Sequence, residues 1–205
     1  IAHEASIYPE CETGGDLFGL WTADRNPVVF LATGPGEKAI HQETHYQMDI
    51  EYERDCQTIL MEQFGIHYLG DWHSHHKLGI YEPSIQDKNR IQQLFFKNPR
   101  VIHMAEIIVN HSNELNKKEI ISGYIYNKIM TGSDIICLKS KNSPIREKLM
   151  YMQEEKYFHL SNKKLPLEQI YLKKPGTYIK RENHNFFKSS NKMKEEVPLS
   201  IKIER

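Results

Sequence analysis

No stretch of this 205-residue chain approaches the roughly 20 consecutive apolar residues that a membrane-spanning helix needs. The chain therefore reads as soluble. Its three cysteines, Cys11, Cys56 and Cys137, are odd in number and widely spaced. That pattern argues against a disulfide framework and against a metal site made of thiolates, and it fits a reducing cytoplasm. No Cys-x-x-Cys occurs, which removes the zinc nucleobase deaminases, whose signature pairs His-x-Glu with Pro-Cys-x-x-Cys. Internal repeats are missing too. The length excludes a large multidomain machine and suits one compact domain with an appendage.

Net charge is also missing, since 27 basic residues balance 27 acidic ones. The balance conceals a division. Residues 1–138 carry 11 Lys and Arg against 19 Asp and Glu, a total of −8, and residues 139–205 carry 16 against 8, or +8. The expected organisation is an acidic folded domain over 1–138, followed by a basic C-terminal extension over 139–205 with no assigned fold. Such an extension suits the acidic domain itself or an acidic partner. Its aromatics, among them Tyr171, Tyr178, Phe186 and Phe187, are scattered as packing residues are, so nucleic acid is not the expected partner.

Strand and helix signals interleave along the first part of the chain. Asp16–Trp21 and Pro27–Thr33 read as two strands joined through Asp24-Arg25-Asn26. From about Tyr46 to Phe64, Ile50, Tyr52, Cys56, Ile59, Leu60 and Phe64 recur at helical spacing, and Gly65 ends the run. Ile66–Trp72 returns to strand character. Pro83-Ser84 opens a second helix carried by Ile91, Leu94 and Phe95 and stopped near Asn98-Pro99. His103–Val109 and Glu119–Tyr126 are further strand candidates. Beyond Lys139 the signals weaken to a candidate helix over 145–158 and a candidate hairpin over 170–179, turning at Pro175-Gly176. The fold class is α/β.

The chemistry concentrates where the third strand ends. His73 and His75 stand at i and i+2 in extended chain, so both project from one face, as a strand presents two nitrogens to one metal. Eight residues later, Ser84-Ile85-Gln86-Asp87 puts a hydroxyl and a carboxylate on one face of a helix start. Two imidazoles and a carboxylate, with a position left for water, form a catalytic zinc set. Each part alone has an ordinary explanation: a lone histidine is commonly structural, and Ser-x-x-Asp is a capping box. Their combination on a strand end and the following helix start points to a metal.

This arrangement, His-x-His, eight residues, then Ser-x-x-Asp, resembles the signature of the JAMM/MPN metallopeptidases, which release ubiquitin and ubiquitin-like proteins from lysine side chains. The family places a glutamate upstream, on or before the first strand, and Glu12-Thr13-Gly14-Gly15-Asp16-Leu17-Phe18-Gly19 resembles that segment. Gly34-Pro35-Gly36 and Gly70-x-Trp72 extend the likeness, most clearly toward the bacterial branch, over about residues 8–130. Two positions depart from the family. His76 stands where proline is usual and reads as a loop residue, and Glu10 competes with Glu12, although Glu12 alone is in register with Thr13-Gly14-Gly15.

The resemblance implies a mixed sheet flanked by helices, with Zn2+ on His73, His75 and Asp87, and with Glu12 and Ser84 as catalytic residues. Zinc lowers the pKa of water from 15.7 to about 7. Glu12 would take that water's proton and pass it to the leaving amine, and Ser84 would donate to the oxyanion. The implied substrate is a ubiquitin-like protein or its conjugates, in a pathway holding E1-like and E2-like enzymes, in some relatives an antiphage defence system. The competing expectation is a non-catalytic MPN-type scaffold, which typically lacks the ligands present here.

Overall fold

The computed structural model describes residues 1–75, 80–112, 118–130, 132–135, 143, 145, 148 and 166–176. His76, the 145–158 helix apart from Ile145 and Lys148, and Tyr178, Phe186 and Phe187 lie outside them.

The elements in order are α1 (Ala2–Ile7), β1 (Gly14–Trp21), β2 (Pro27–Ala32), β3 (Ile40–His41), β4 (Tyr46–Gln47), α2 (Ile50–Phe64), β5 (His67–Ser74), α3 (Ile85–Lys97), β6 (His103–Ser112), β7 (Lys118–Asn127), β8 (Gly132–Ile135) and β9 (Ile170–Leu172). Apart from the β3–β4 pair, the strands form one mixed sheet in the order β2-β1-β5-β6-β7-β8, with β9 also on β7. The pairs β5–β6 and β7–β9 are parallel, and the other pairs of this sheet are antiparallel. The α/β expectation therefore stands as a mixed sheet flanked by helices. No helix among the described residues is long and apolar enough to cross a membrane.

Alternation along the strands assigns the two faces. Leu17, Leu69, Trp72, Ala105 and Val109 pack together with Ala5 of α1. The opposite face takes the two longer helices: Cys56 and Leu60 of α2 pack with Phe18 and Ile66, and Ile91 and Phe95 of α3 pack with Met104, Ile108, Tyr124 and Tyr126. Because Trp72 faces α1, its neighbours Asp71 and His73 face the α2/α3 side. The functional candidates thus share a side with the helix that carries Asp87.

Three details differ from what the spacing predicts. Helix α2 begins at Ile50 and not near Tyr46, because the Asp49 side chain accepts the amide of Tyr52 as a helix cap, while Tyr46 and Gln47 pair with β3. It ends as expected at Gly65, whose left-handed conformation any side chain would strain. The polar opening segment contains α1, too short to show helical periodicity. The candidate hairpin over 170–179 is a single strand, β9, in its described part; residues 177–179 lie outside it.

The chain beyond residue 138 touches the sheet at two described places. Ile145 is buried in the α2 cluster, and β9 lies along β7 from Glu119↔Ile170 to Ile121↔Leu172. These contacts join described parts of the chain beyond residue 138 to the sheet and to the α2 cluster.

Candidate metal centre

The site forms where β5 hands the chain to α3, the carboxyl end of a strand in a parallel strand–helix–strand unit. Open α/β sheets characteristically bind ligands in that position. Strand β5 delivers His73, and His75 follows its last residue, Ser74; both histidines are buried, and the first turn of α3 delivers Asp87. Ser84 caps that helix. Its hydroxyl accepts the Asp87 amide at 3.2 Å, and the Asp87 carboxylate accepts the Ser84 amide at 2.7 Å. This capping box fixes where the carboxylate sits, and the Ser84 O–H remains able to donate.

The three side chains converge. His73 Nε2 and His75 Nε2 are 2.9 Å apart, and Asp87 Oδ1 and Oδ2 lie 3.2 and 3.4 Å from them. Tetrahedral zinc with bonds of about 2.0–2.1 Å sets its ligand atoms roughly 3.3 Å apart. The spacing fits. The tautomers fit as well, because His75 Nδ1 is 3.0 Å from the Ile80 carbonyl, which only accepts, so Nδ1 carries the proton and Nε2 presents its lone pair. On the far side of His73, Nδ1 faces Glu106 Oε1 at 3.9 Å. Two imidazole nitrogens converging on a carboxylate form a donor set that a positive charge completes, either a metal ion or a proton on His73. Electrostatics agree: burial would lower the His73 pKa, yet Asp87 and Glu106 outweigh it and hold it above its ordinary value. Burial would raise Asp87, but its contacts with His73 and His75 keep it well below the usual carboxylate range.

Asp71, His73 and Glu106 form a second convergent group of possible metal ligands. Arg90 of α3 already occupies it. Its guanidinium donates to both oxygens of Asp71 and, at 3.1 Å, to Glu106 Oε1, while the Tyr126 hydroxyl donates to Glu106 Oε2 at 2.8 Å. The Arg90 side chain is 42% exposed, yet its guanidinium reaches the buried Asp71 and Glu106, the reverse of the usual arrangement in which arginine buries its stem and keeps its charge in water. Its cation neutralises what a metal would otherwise neutralise. Sequence reasoning misses this network, although a glutamate inside the apolar strand His103–Val109 is a signal that a buried partner exists.

Glu12 is 9% exposed and feels the charges of His75, His73 and Asp87. Its amide donates to the Gln42 carbonyl at 2.8 Å, and His41 Nδ1 lies 3.0 Å from its carbonyl. Thr13 is bound to Ser74 in both directions, through the Thr13 amide to Ser74 Oγ at 3.0 Å and the Ser74 amide to the Thr13 carbonyl at 2.8 Å. The segment bearing Glu12 is thereby locked to the residue between the two histidines. Burial is the largest influence on the Glu12 carboxyl and raises its pKa; the imidazoles of His75 and His73 pull it down, and Asp87 pushes it up. A carboxylate moved toward neutrality is a better proton acceptor at neutral pH. Glu10, by contrast, is exposed.

The structure thus brings together His73, His75 and Asp87, places Ser84 on Asp87, and sets Glu12 within electrostatic reach of all three ligand candidates.

No model of a known protein family matches the chain. A probable metalloprotease from Sinorhizobium fredii is 27% identical over 96 residues, which cover 44% of this chain and 57% of that protein. The match thus spans little more than half of that relative's length. Among solved structures, a protein from Desulfitobacterium hafniense aligns with a TM-score of 0.48 at 22% identity, covering 69% of this chain and 86% of that one. One from Salinibacter ruber aligns at 0.45 and 20% identity, covering 68% and 84%. In sequence, this chain is similar to a probable metalloprotease.

Proposed function

We propose that this chain is a zinc-dependent peptidase of the JAMM/MPN type, with His73, His75 and Asp87 as ligands and Glu12 as general base. The observation that carries the reading is the convergence of two imidazole nitrogens and one carboxylate beside a buried glutamate. Two histidines and a carboxylate also suit iron(II). A carboxylate base beside the donor set favours hydrolysis, and so zinc. The similarity to a probable metalloprotease supports the same class of reaction.

When bound, zinc would supply an electrophile that acidifies water and polarises a scissile carbonyl. Glu12 accepts the water proton and returns it to the departing amine, a role worth about 10²–10⁴-fold. Ser84 accepts the Asp87 amide and directs its own O–H toward the developing oxyanion. Arg90, through Asp71 and Glu106, keeps the wall behind His73 neutral enough to stay buried.

The proposed substrate is an amide bond after the C-terminus of a ubiquitin-like protein, and the proposed setting is a cytoplasmic pathway with E1-like and E2-like enzymes. The resemblance of Glu12–Gly19 and of His73–Asp87 to that family supports it. The complete donor set with its glutamate favours an enzyme over a scaffold. Incubation of the zinc-loaded protein with a panel of purified ubiquitin-like conjugates tests the reading. Release of the modifier, lost in Glu12→Gln, is expected, and stoichiometric zinc without hydrolysis of any conjugate would favour the scaffold.

A further inference from the structure

Lys173 is the one lysine among the buried described residues, at 4% exposure, and it comes from the basic extension. Its backbone continues the β9 pairing, with its amide donating to the Ile121 carbonyl at 2.9 Å. Its side chain runs inward. Nζ stands 5.8 Å from the centre of the Tyr124 ring, 3.4 Å from the Tyr124 hydroxyl and 3.5 Å from Glu82 Oε1. The Tyr124 hydroxyl in turn donates to the Tyr81 carbonyl at 3.2 Å.

The place gripped is what matters. Tyr81 and Glu82 lie between Ile80, whose carbonyl sets the tautomer of His75, and Ser84, whose capping box sets Asp87. A connection of this kind has few backbone bonds of its own to fix it, and a carbonyl that orients a ligand histidine changes the metal site when it is displaced. Burying an ammonium is costly unless it is paired. Here it is paired with groups of that connection, and the Glu82 side chain is 69% exposed, so Lys173 brings the fixed end of the ion pair.

We propose that Lys173 is a positioning residue for the metal centre: delivered by β9 from the extension, it holds Tyr81 and Glu82 so that the Ile80 carbonyl and Ser84 stay seated on His75 and Asp87. The inference rests on the metal reading above and deepens it, since it makes part of the basic extension a component of the site. Through Glu82 and the Tyr124 hydroxyl, Lys173 links the chain beyond position 138 to the 80–84 connection.

The test uses the full chain and zinc alone as probe. Zinc affinity is measured by chelator competition for wild type, Lys173→Met, Lys173→Arg and Tyr124→Phe. Lys173→Met keeps the length and loses the charge, and Tyr124→Phe removes only the hydroxyl that reaches Tyr81. Both are expected to weaken zinc by about tenfold, within the usual effect of outer-shell changes, with Lys173→Arg closer to wild type. Amide exchange in the metal-free protein is expected to speed up at residues 80–82 and 84 in Lys173→Met and Tyr124→Phe, with exchange in α3 unchanged. If wild type binds zinc and both Lys173→Met and Tyr124→Phe bind it equally well, the inference is overturned and the metal reading stands. A wild-type protein that takes up no zinc overturns both. Should Lys173→Met fail to fold, Tyr124→Phe decides the matter alone.

Discussion

Gly14 is the cross-strand partner of His73, so the strand that follows Glu12 is zipped directly to the strand that ends in the two histidines. A Cβ at Gly14 would lie 2.4 Å from the Trp72 carbonyl and 2.8 Å from the Tyr46 ring. Backbone cannot yield cheaply there. Gly14→Ala is therefore expected to cost about 1–3 kcal/mol, as overpacking does, and to separate Glu12 from the metal centre. Denaturant unfolding with a zinc titration checks it; a variant as stable as wild type would mean that β1 and β5 are looser than described.

Glu12→Gln keeps the shape of the side chain and removes its proton acceptor. The variant should remain folded and bind zinc, and hydrolysis should fall by about 10²–10⁴-fold. Glu10→Gln, on an exposed side chain, should leave the rate within a factor of a few. Paired kinetic measurements on one conjugate separate the two glutamates, and a dead Glu10→Gln would move the base by two residues.

Asp16 supplies a pH dependence. It is 1% exposed beside Asp71, neither of its oxygens has a hydrogen bond among the described residues, and Gln57 is near without reaching bonding geometry. Burial, with Glu53 and Asp71 adding to it, pushes its pKa up to about 8. The folded protein thus holds a proton that the unfolded chain releases at ordinary carboxylate pH. Its contribution to stability is full below that range and is lost as pH rises through about 8, each tenfold difference in acidity between the folded and unfolded chain being worth about 1.4 kcal/mol. Asp16→Asn should accordingly melt higher than wild type near pH 8, with the difference shrinking toward pH 4. A constant difference across that range would place the proton elsewhere.

Arg90→Met leaves Asp71 and Glu106 buried without their cation. The expected loss is about 2–3 kcal/mol, below the usual cost of breaking a fully buried pair because the arginine side chain is partly exposed. Adding Asp71→Asn and Glu106→Gln should recover much of it, since the uncompensated charges go. Melting curves of the single and triple variants decide; an Arg90→Met protein as stable as wild type would show the three groups to be independent.

Legibility in the sequence depends on range. Ser84 and Asp87 can be read because a capping box is local, and His73 and His75 because a strand alternates faces. The start of α2 is obscured because Tyr46 suits the helical period, while the Asp49 side chain sets the boundary. Helix α1 escapes because six residues carry too little periodicity and owe their helix to Ala5 packing on Trp72 and Leu69. The Arg90 network and the Lys173 contact join residues from separate elements, and no spacing in the chain announces such pairs. Strand β9 is half legible: its extended character shows, its parallel pairing with β7 does not.

The central claim is that His73, His75 and Asp87 hold one zinc ion. Metal content of the purified protein, by mass spectrometry of the elements, tests it most directly, alongside His73→Ala, His75→Ala and Asp87→Ala. About one equivalent of zinc in wild type, falling sharply in each variant, is the predicted result. Unchanged zinc in both histidine variants, or a wild-type protein that takes up no divalent metal, would contradict the account.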